Sequence, residues 1–366
     1  MDDQQEVRGV CQENWKGCIP IKLSLAPTSL SCSTMPLPRH SMVSRMTFLH
    51  VALRPAILRF YKFAPKLVYS FQPQNVEEEE DDDDDDVEQE MDHHKTKNSK
   101  TNDKTKEEVE EEEEEDPVCW FEDEESGTPL RWQLFVGVLF DLLQNSHGRN
   151  NHTNNKLPWK IRIHFTSYPQ TQLLQLTTST TTKVQDMIQR FYSNSLKQAL
   201  FLQYGSSKVA MNMSKHNQLQ IWDSIVRSQY DSYQQINQEL QCFIPINETE
   251  STQTQKIQNV PIRIMMDGKP YVQKPCPPYI TTLPASNTDN HDTSNTKKLH
   301  KRTIGQFLAQ YYPKIFSSTE KTSLCIWMIQ GIQQLPLSYP IVDVWQCLCH
   351  PDHFLYIILI TNTTKP

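Results

Sequence analysis

The chain has 366 residues and a formal net charge of −8, enough length for two or three domains of roughly 150 residues each. That average hides a division: residues 76–116 hold 23 Asp or Glu against 5 Lys, leaving 31 basic and 21 acidic residues in the other 325. The body is mildly basic, which suits an acidic protein partner, an anionic membrane surface or nucleic acid. The nine glycines form no G-x-G-x-x-G, G-x-x-x-x-G-K or G-x-S-x-G pattern, and no H-E-x-x-H occurs, so no motif argues for an enzyme.

The opening MDDQQEV is acidic and lacks an apolar core, so a secretory signal is not expected. The longest apolar run, FLYIILI at 354–360, is too short to span a bilayer. Nine scattered cysteines, an odd number, read as free thiols in a reducing compartment. The expectation is a cytoplasmic protein.

In chain order, CIPIKLSLA (18–26) and RMTFLHVAL (45–53) read as strands. An acidic stretch follows that cannot bury a core, taken as a disordered insertion over 72–117. CWFED (119–123) and LRWQ (130–133) read as strands around a turn at Ser126-Gly127. FVGVLFDLL (135–143), apolar nearly all round, predicts a buried helix, and LPWKIRIHF (157–165) alternates as a strand does.

The middle, 183–242, is helical by pattern. Val184, Met187, Ile188, Phe191 and Leu202 make one stripe, with Gly205 as the stop signal. Lys197 lies roughly 120° from Phe191, on a polar face with Arg190 and Ser193. On pattern alone it is an ordinary surface lysine. A second helix is expected around LQIWDSIVRSQYDSYQQINQEL (219–240), carrying Leu219, Trp222, Ile225, Val226, Tyr230 and Ile236.

Towards the C-terminus, VPIRIMM (260–266), a turn at Asp267-Gly268 and YVQK (271–274) read as a hairpin. Thr303 can cap a helix, TIGQFLAQYYPKIF. A strand LCIWMIQGI (324–332), a short helix around VDVWQCLC and a last strand FLYIILI follow. This ββαβ(α)β order fits a β-grasp, ubiquitin-like domain, and the first half shows the same order less cleanly. The fold class is therefore α+β, with two ubiquitin-like β-grasp domains flanking a helix-rich domain.

Five stretches together resemble the autophagy protein 5 family: WFEDEESGTPLRWQLFVGVLFDLL (120–143), LPWKIRIHFTSYP (157–169), FYSNSLKQALFLQYGSSKVAMNMSKHNQLQIW (191–222), VPIRIMMDGKPYVQK and IQGIQQLPLSYPIVDVWQCLCHPDHFLYIILI (329–360). The acidic insertion and residues 28–71 depart from the family pattern. The resemblance implies an N-terminal helix over 1–15 and a first ubiquitin-like domain over 16–176. It further implies a helix-rich domain over 177–245, a linker over 246–258 and a second ubiquitin-like domain over 259–366, with a flexible loop at 281–302.

The resemblance also implies a function. Family members are joined by an isopeptide bond to the ubiquitin-like autophagy protein 12, at the lysine of an F-x-S/N-x-S-L-K pattern. Here that residue is Lys197. The conjugate binds the coiled-coil autophagy protein 16 and acts as an E3-like complex. It engages the conjugating enzyme of autophagy protein 8 and promotes transfer of that protein to phosphatidylethanolamine at the preautophagosomal membrane, where association is peripheral. Partner contacts are expected around Trp15 and the N-terminal helix. No catalytic residue, cofactor or metal is expected in this chain.

Competing readings attach to particular residues. Lys208 is the nearest rival acceptor, and Lys183 and Lys215 read as solvated. Cys347, Cys349, His350 and His353 lack the usual spacing of a zinc site, and core packing explains the cysteines better than thioester chemistry. RMTFLHVALRPAILRFYKF (45–63) is basic and apolar, but Pro55 interrupts any single membrane-lying helix, so core and partner contacts are favoured. The dispersed basic residues and the absence of an RNP-like aromatic stripe argue against nucleic acid. A purely non-covalent adaptor with two ubiquitin-like domains is the alternative function.

Overall fold

The computed structural model describes residues 2–65, 117–144, 157–176, 183–240, 257–266, 269–282, 298–316 and 325–361. The acidic stretch, the linker at 246–256 and the Asp267-Gly268 turn lie outside the described residues.

Helix α1 (Asp2–Trp15) leads into β1 (Cys18–Leu25) and β2 (Arg39–Ser44). Along β1, Ile19, Ile21, Leu23 and Leu25 point inward and their neighbours outward, the period-two signature of a sheet with one solvated face. Helices α2 (Leu49–Ala52) and α3 (Arg54–Tyr61) follow, then β3 (Trp120–Asp123), β4 (Pro129–Leu130), α4 (Val136–Gln144) and β5 (Trp159–His164). The first sheet runs β2-β1-β5-β3-β4, with β1 and β5 parallel.

The expected strand over 45–53 is corrected by the structure, which ends β2 at Ser44 and makes Leu49–Ala52 helical. Leu49, Leu53, Ala56, Ile57 and Phe60 are all buried. Their spacing of three and four continues one helical face from α2 into α3. Pro55 sits in the first turn of α3, where its missing N–H costs nothing.

The helical region comprises α5 (Val184–Tyr204), α6 (Lys208–Met211), α7 (Lys215–Val226) and α8 (Tyr230–Leu240). The single helix expected over 219–240 is broken. Ser228 takes φ of 54°, and the chain reverses between α7 and α8. Helix α5 stops at Gly205, whose φ of 72° is the left-handed conformation that ends helices. A Cβ there would also lie 3.1 Å from the Gln258 side chain. Gly205→Ala should cost about 1–2 kcal/mol, read as a fall of a few degrees in Tm by differential scanning calorimetry; an unchanged Tm would contradict the strain argument.

The second sheet contains β6 (Val260–Met266), β7 (Val272–Cys276), β10 (Cys325–Ile329), β11 (Ile332–Gln333) and β12 (Leu355–Thr361), in the order β11-β10-β12-β6-β7. Between them come β8 (Tyr279–Thr282) and β9 (Lys298–Lys301), then α9 (Ile304–Tyr311), α10 (Pro313–Phe316) and, after β11, α11 (Ile341–Leu348). The loop expected over 281–302 is corrected at both ends, because β8 pairs antiparallel with β9. In β9, Leu299, His300 and Lys301 are all exposed, so the strand carries no alternation to read. The expected strand 324–332 is a hairpin: Gln330 and Gly331 both take positive φ, at 53° and 78°, between β10 and β11.

This sheet is buried on both faces, which explains its continuous apolar strands. One face, with Ile262, Ile264, Leu355 and Ile357, packs against Phe307 of α9 and Trp345 of α11. The other, with Met265, Met328, Tyr356 and Ile358, joins the core shared with the helices and the first sheet.

Candidate functional site

Lys197 lies in the middle of α5 and is exposed. Its amine makes no hydrogen bond or ion pair with any described residue. The residues on either side of it, Leu196 and Gln198, differ in fate: Leu196 is buried, and Gln198 is exposed but bound. The buried face of α5 runs through Ile188, Tyr192, Ser195, Leu196, Ala199, Leu200 and Gln203. Met187, Phe191 and Leu202 of the expected stripe flank that face and are only partly buried.

Beneath Lys197 the helix is fastened to the second sheet by a buried ion pair. Arg263 of β6 lies within 3.2 Å of Asp352, and both side chains are almost wholly buried. Arg263 Nη1 also donates to Ser195 Oγ at 2.8 Å and to the Tyr356 hydroxyl at 2.8 Å. Its Nε donates to Gln273 at 3.2 Å and its Nη2 to Gln198 Oε1 at 3.3 Å. The guanidinium stacks 3.7 Å from the Phe354 ring centroid. Asp352 receives hydrogen bonds from Ser195 Oγ at 2.7 Å, from Tyr356 at 2.8 Å and from the Phe354 N–H at 3.3 Å. Burial pushes the Asp352 carboxyl up from its ordinary value, while the Arg263 charge and these donors pull it back. Ser195 and Gln198, two and one residues from Lys197, are thus fixed from below. The lysine stands on an anchored base, and its amine has no partner among the described residues.

The loop after α11 is a hub for the same helix. The carbonyl of Pro351 accepts from Tyr192 of α5 and Tyr233 of α8, at 3.3 and 3.1 Å. His353, with φ of 65°, lies between Asn237 Oδ1 at 2.6 Å and Gln203 Nε2 at 3.3 Å. Those partners assign the tautomer: Nε2–H donates to Asn237, and Nδ1 accepts from the Gln203 amide. His350 meets Gln330 Nε2 at 3.0 Å and packs edge-on against Tyr356.

Burial lowers His353 to about 4, and likewise His50, whose Nε2 lies 3.0 Å from the Cys119 carbonyl. Both are neutral in the fold. Below an ordinary histidine pKa of roughly 6.5 the unfolded chain takes up protons that the fold refuses, so stability is lost as pH falls from there towards 4. Each contributes up to about 3 kcal/mol of that loss. The unfolding free energy in urea should therefore drop between about pH 7 and pH 5, and His353→Gln should remove about 2 kcal/mol of the drop. An equal drop in the variant would contradict the assignment.

The other residues singled out in the sequence fall as follows. Lys208 and Lys215 are exposed, at the starts of α6 and α7, and Lys183 is exposed at the start of α5. Cys347 and Cys349 are half-buried free thiols, pushed up by burial. Among the described residues no group of three or more His, Cys, Asp or Glu is placed to hold a metal ion. Trp15 is buried, its ring 4.6 Å from Tyr233 and 5.8 Å from Tyr230, so it holds α1 onto α8. The apolar residues of 45–63 face the core, leaving Arg59 and Lys62 in solvent. Among the described residues no helix is long and apolar enough to cross a membrane.

The sequence reading missed Ser195, Arg263 and Asp352. One signal was present: a lone arginine in the apolar strand VPIRIMM demands a buried partner.

Three domain profiles match the chain in order: "Autophagy protein ATG5, UblA domain" over residues 95–165, its alpha-helical bundle region over 185–241 and its UblB domain over 259–359. Autophagy protein 5 of Aspergillus oryzae is 28% identical over 264 residues, covering 66% of this chain and 76% of the relative. That of Debaryomyces hansenii is 29% identical over 250 residues, covering 67% and 75%. The crystal structure of Kluyveromyces marxianus Atg5 shares the fold, with a TM-score of 0.60 at 18% identity over 97% of this chain and 99% of that one. With more than half of its length matched by those three profiles, and two ubiquitin-like sheets around a helical bundle, the chain belongs to the autophagy protein 5 family and has a role in autophagy.

Proposed function

We propose that the chain is a non-enzymatic conjugation acceptor and scaffold. Its Lys197 amine receives the C-terminal glycine of autophagy protein 12. The conjugate, with the coiled-coil autophagy protein 16, then forms an E3-like complex at the preautophagosomal membrane that promotes lipidation of autophagy protein 8. The observation that carries this reading is the exposed amine of Lys197, without a partner among the described residues, on a helix anchored beneath it. The reaction asks for a neutral amine to attack a thioester, forming an amide and releasing the thiol of a conjugating enzyme. An ordinary lysine amine, with a pKa of roughly 10.4, is almost wholly protonated at neutral pH. The partner enzyme therefore has to accept its proton, and this chain has to supply reach and rigidity.

The test is a denaturing gel of the chain with its cognate activating and conjugating enzymes, ATP and autophagy protein 12. The wild-type chain should shift to a higher mass, and Lys197→Arg, which keeps charge and helix propensity, should not. A shift in both would move the acceptor elsewhere, with Lys208 the first candidate. No shift in either would favour the non-covalent adaptor.

A further inference from the structure

The outer face of the first sheet carries a row of basic side chains that the conjugation chemistry does not use. Register places His40 of β2 opposite Lys22 of β1, and Lys22 opposite Lys160 of β5. The three span roughly 10 Å across adjacent strands. His40 and Lys160 are exposed and Lys22 is half-exposed. None of the three side chains has an ion-pair or hydrogen-bond partner among the described residues. Like charges directly opposite one another destabilise a sheet, and Glu124, whose N–H bonds the Lys160 carbonyl on the far side of the pair, has its carboxylate engaged by Arg162.

Beside this row lies an apolar one. Met42 pairs with Pro20 and is 68% exposed, and Leu37, just before β2, is 77% exposed. On the other side the charge reverses. Arg162 is held by Glu122 at 3.3 Å and Glu124 at 3.4 Å, and Glu122 also approaches His164. The face is therefore divided, with a basic and apolar part on β2, β1 and the start of β5 and a carboxylate-bearing part on β3 and just after it.

We propose that the β2–β1–β5 face is a docking surface for an acidic peptide segment of a partner protein. The peptide's carboxylates lie over His40, Lys22 and Lys160, and one apolar side chain rests on Met42 and Pro20. Charge complementarity sets the class of partner. The division of the face argues against a flat anionic surface: a membrane covering the whole sheet would press Glu122 and Glu124 against its own charge. A narrow extended peptide follows the cationic half alone.

The test uses the full chain and a fluorescein-labelled peptide of alternating Glu and Ser with one central Leu, followed by fluorescence anisotropy. Saturable binding should weaken at least tenfold in Lys22→Glu/Lys160→Glu and on raising NaCl from about 50 to about 300 mM. Met42→Ser should weaken binding of this peptide several-fold but not of a Leu-free version. A charge-matched control, Lys183→Glu/Lys215→Glu, should bind as the wild type does. Equal or higher thermal stability of Lys22→Gln/Lys160→Gln, with weakened binding, separates the surface from the fold. Equal binding by the wild type and the Lys22→Glu/Lys160→Glu variant would overturn the proposal. So would an absence of saturable binding, or capture of phosphatidylserine vesicles, but not of the peptide, in a Lys22- and Lys160-dependent way.

Discussion

Asp352→Ala should lower the unfolding free energy by about 3–5 kcal/mol, because it leaves the Arg263 guanidinium buried without its counter-charge. That is a large share of the roughly 5–15 kcal/mol by which folded domains are stable. It should appear as a fall in Tm of about 10 °C. The same change removes the acceptor of the Ser195 and Tyr356 hydroxyls, so α5 loses its bond to Asp352 and keeps those from Arg263. Ser195→Ala should cost less, about 1–3 kcal/mol, since it deletes one donor and one acceptor but keeps the pair. Arg263→Met/Asp352→Leu should be less damaging than the sum of its single changes. Calorimetry of these three variants and of the single changes Arg263→Met and Asp352→Leu checks the argument; a strictly additive double variant would contradict it.

A second buried pair ties β2 to α4 inside the first domain, and a turn of the second sheet closes over it. Arg45, just after β2, donates to Asp141 of α4 at 2.5 Å, and both side chains are largely buried. Three glycines close around Arg45: an added Cβ would lie 3.0 Å from its side chain at Gly17 and Gly137, and 3.2 Å from its guanidinium at Gly331. Gly331 is the turn of the β10–β11 hairpin, with φ of 78°, so the second sheet presents its backbone to this arginine. Burial raises the Asp141 carboxyl, and Arg45 and a backbone bond from Gly331 oppose it. Asp141→Ala should therefore cost about 3–5 kcal/mol in the same assay. Gly331→Ala, which needs only strained backbone and a shifted guanidinium, should cost about 1–2 kcal/mol. Near-neutral Asp141→Ala would show that the buried pair does not hold α4 against the end of β2.

The sequence was most legible where one face of an element is buried. The alternation of CIPIKLSL placed β1, and the apolar runs VPIRIMM and FLYIILI gave strands of a doubly covered sheet. It was least legible where polar residues carry structure. Ser195 and Gln203 lie on the buried face of α5, yet their polarity took them out of the apolar stripe. The break between α7 and α8 rests on the positive φ of Ser228, and the β10–β11 turn on those of Gln330 and Gly331, where a lone Ser or Gly inside a periodic run is a weak stop signal. Residues 45–53 were read as a strand because both patterns fit so short an apolar run, and only burial continuing into α3 separates them. Lys197 was found by its surrounding motif. Its polar position on the helix predicts exposure, but nothing in the local pattern shows that Arg263 and Asp352 fix the turn beneath it.

The central claim is that this amine, on this anchored turn, is the acceptor. Tandem mass spectrometry of the tryptic peptides from the purified conjugate tests it most directly. The account predicts a branched peptide with the C-terminal glycine of autophagy protein 12 on Lys197 Nζ and no cleavage after that residue. A branch at Lys208 or any other lysine, with Lys197 cleaved normally, would contradict it.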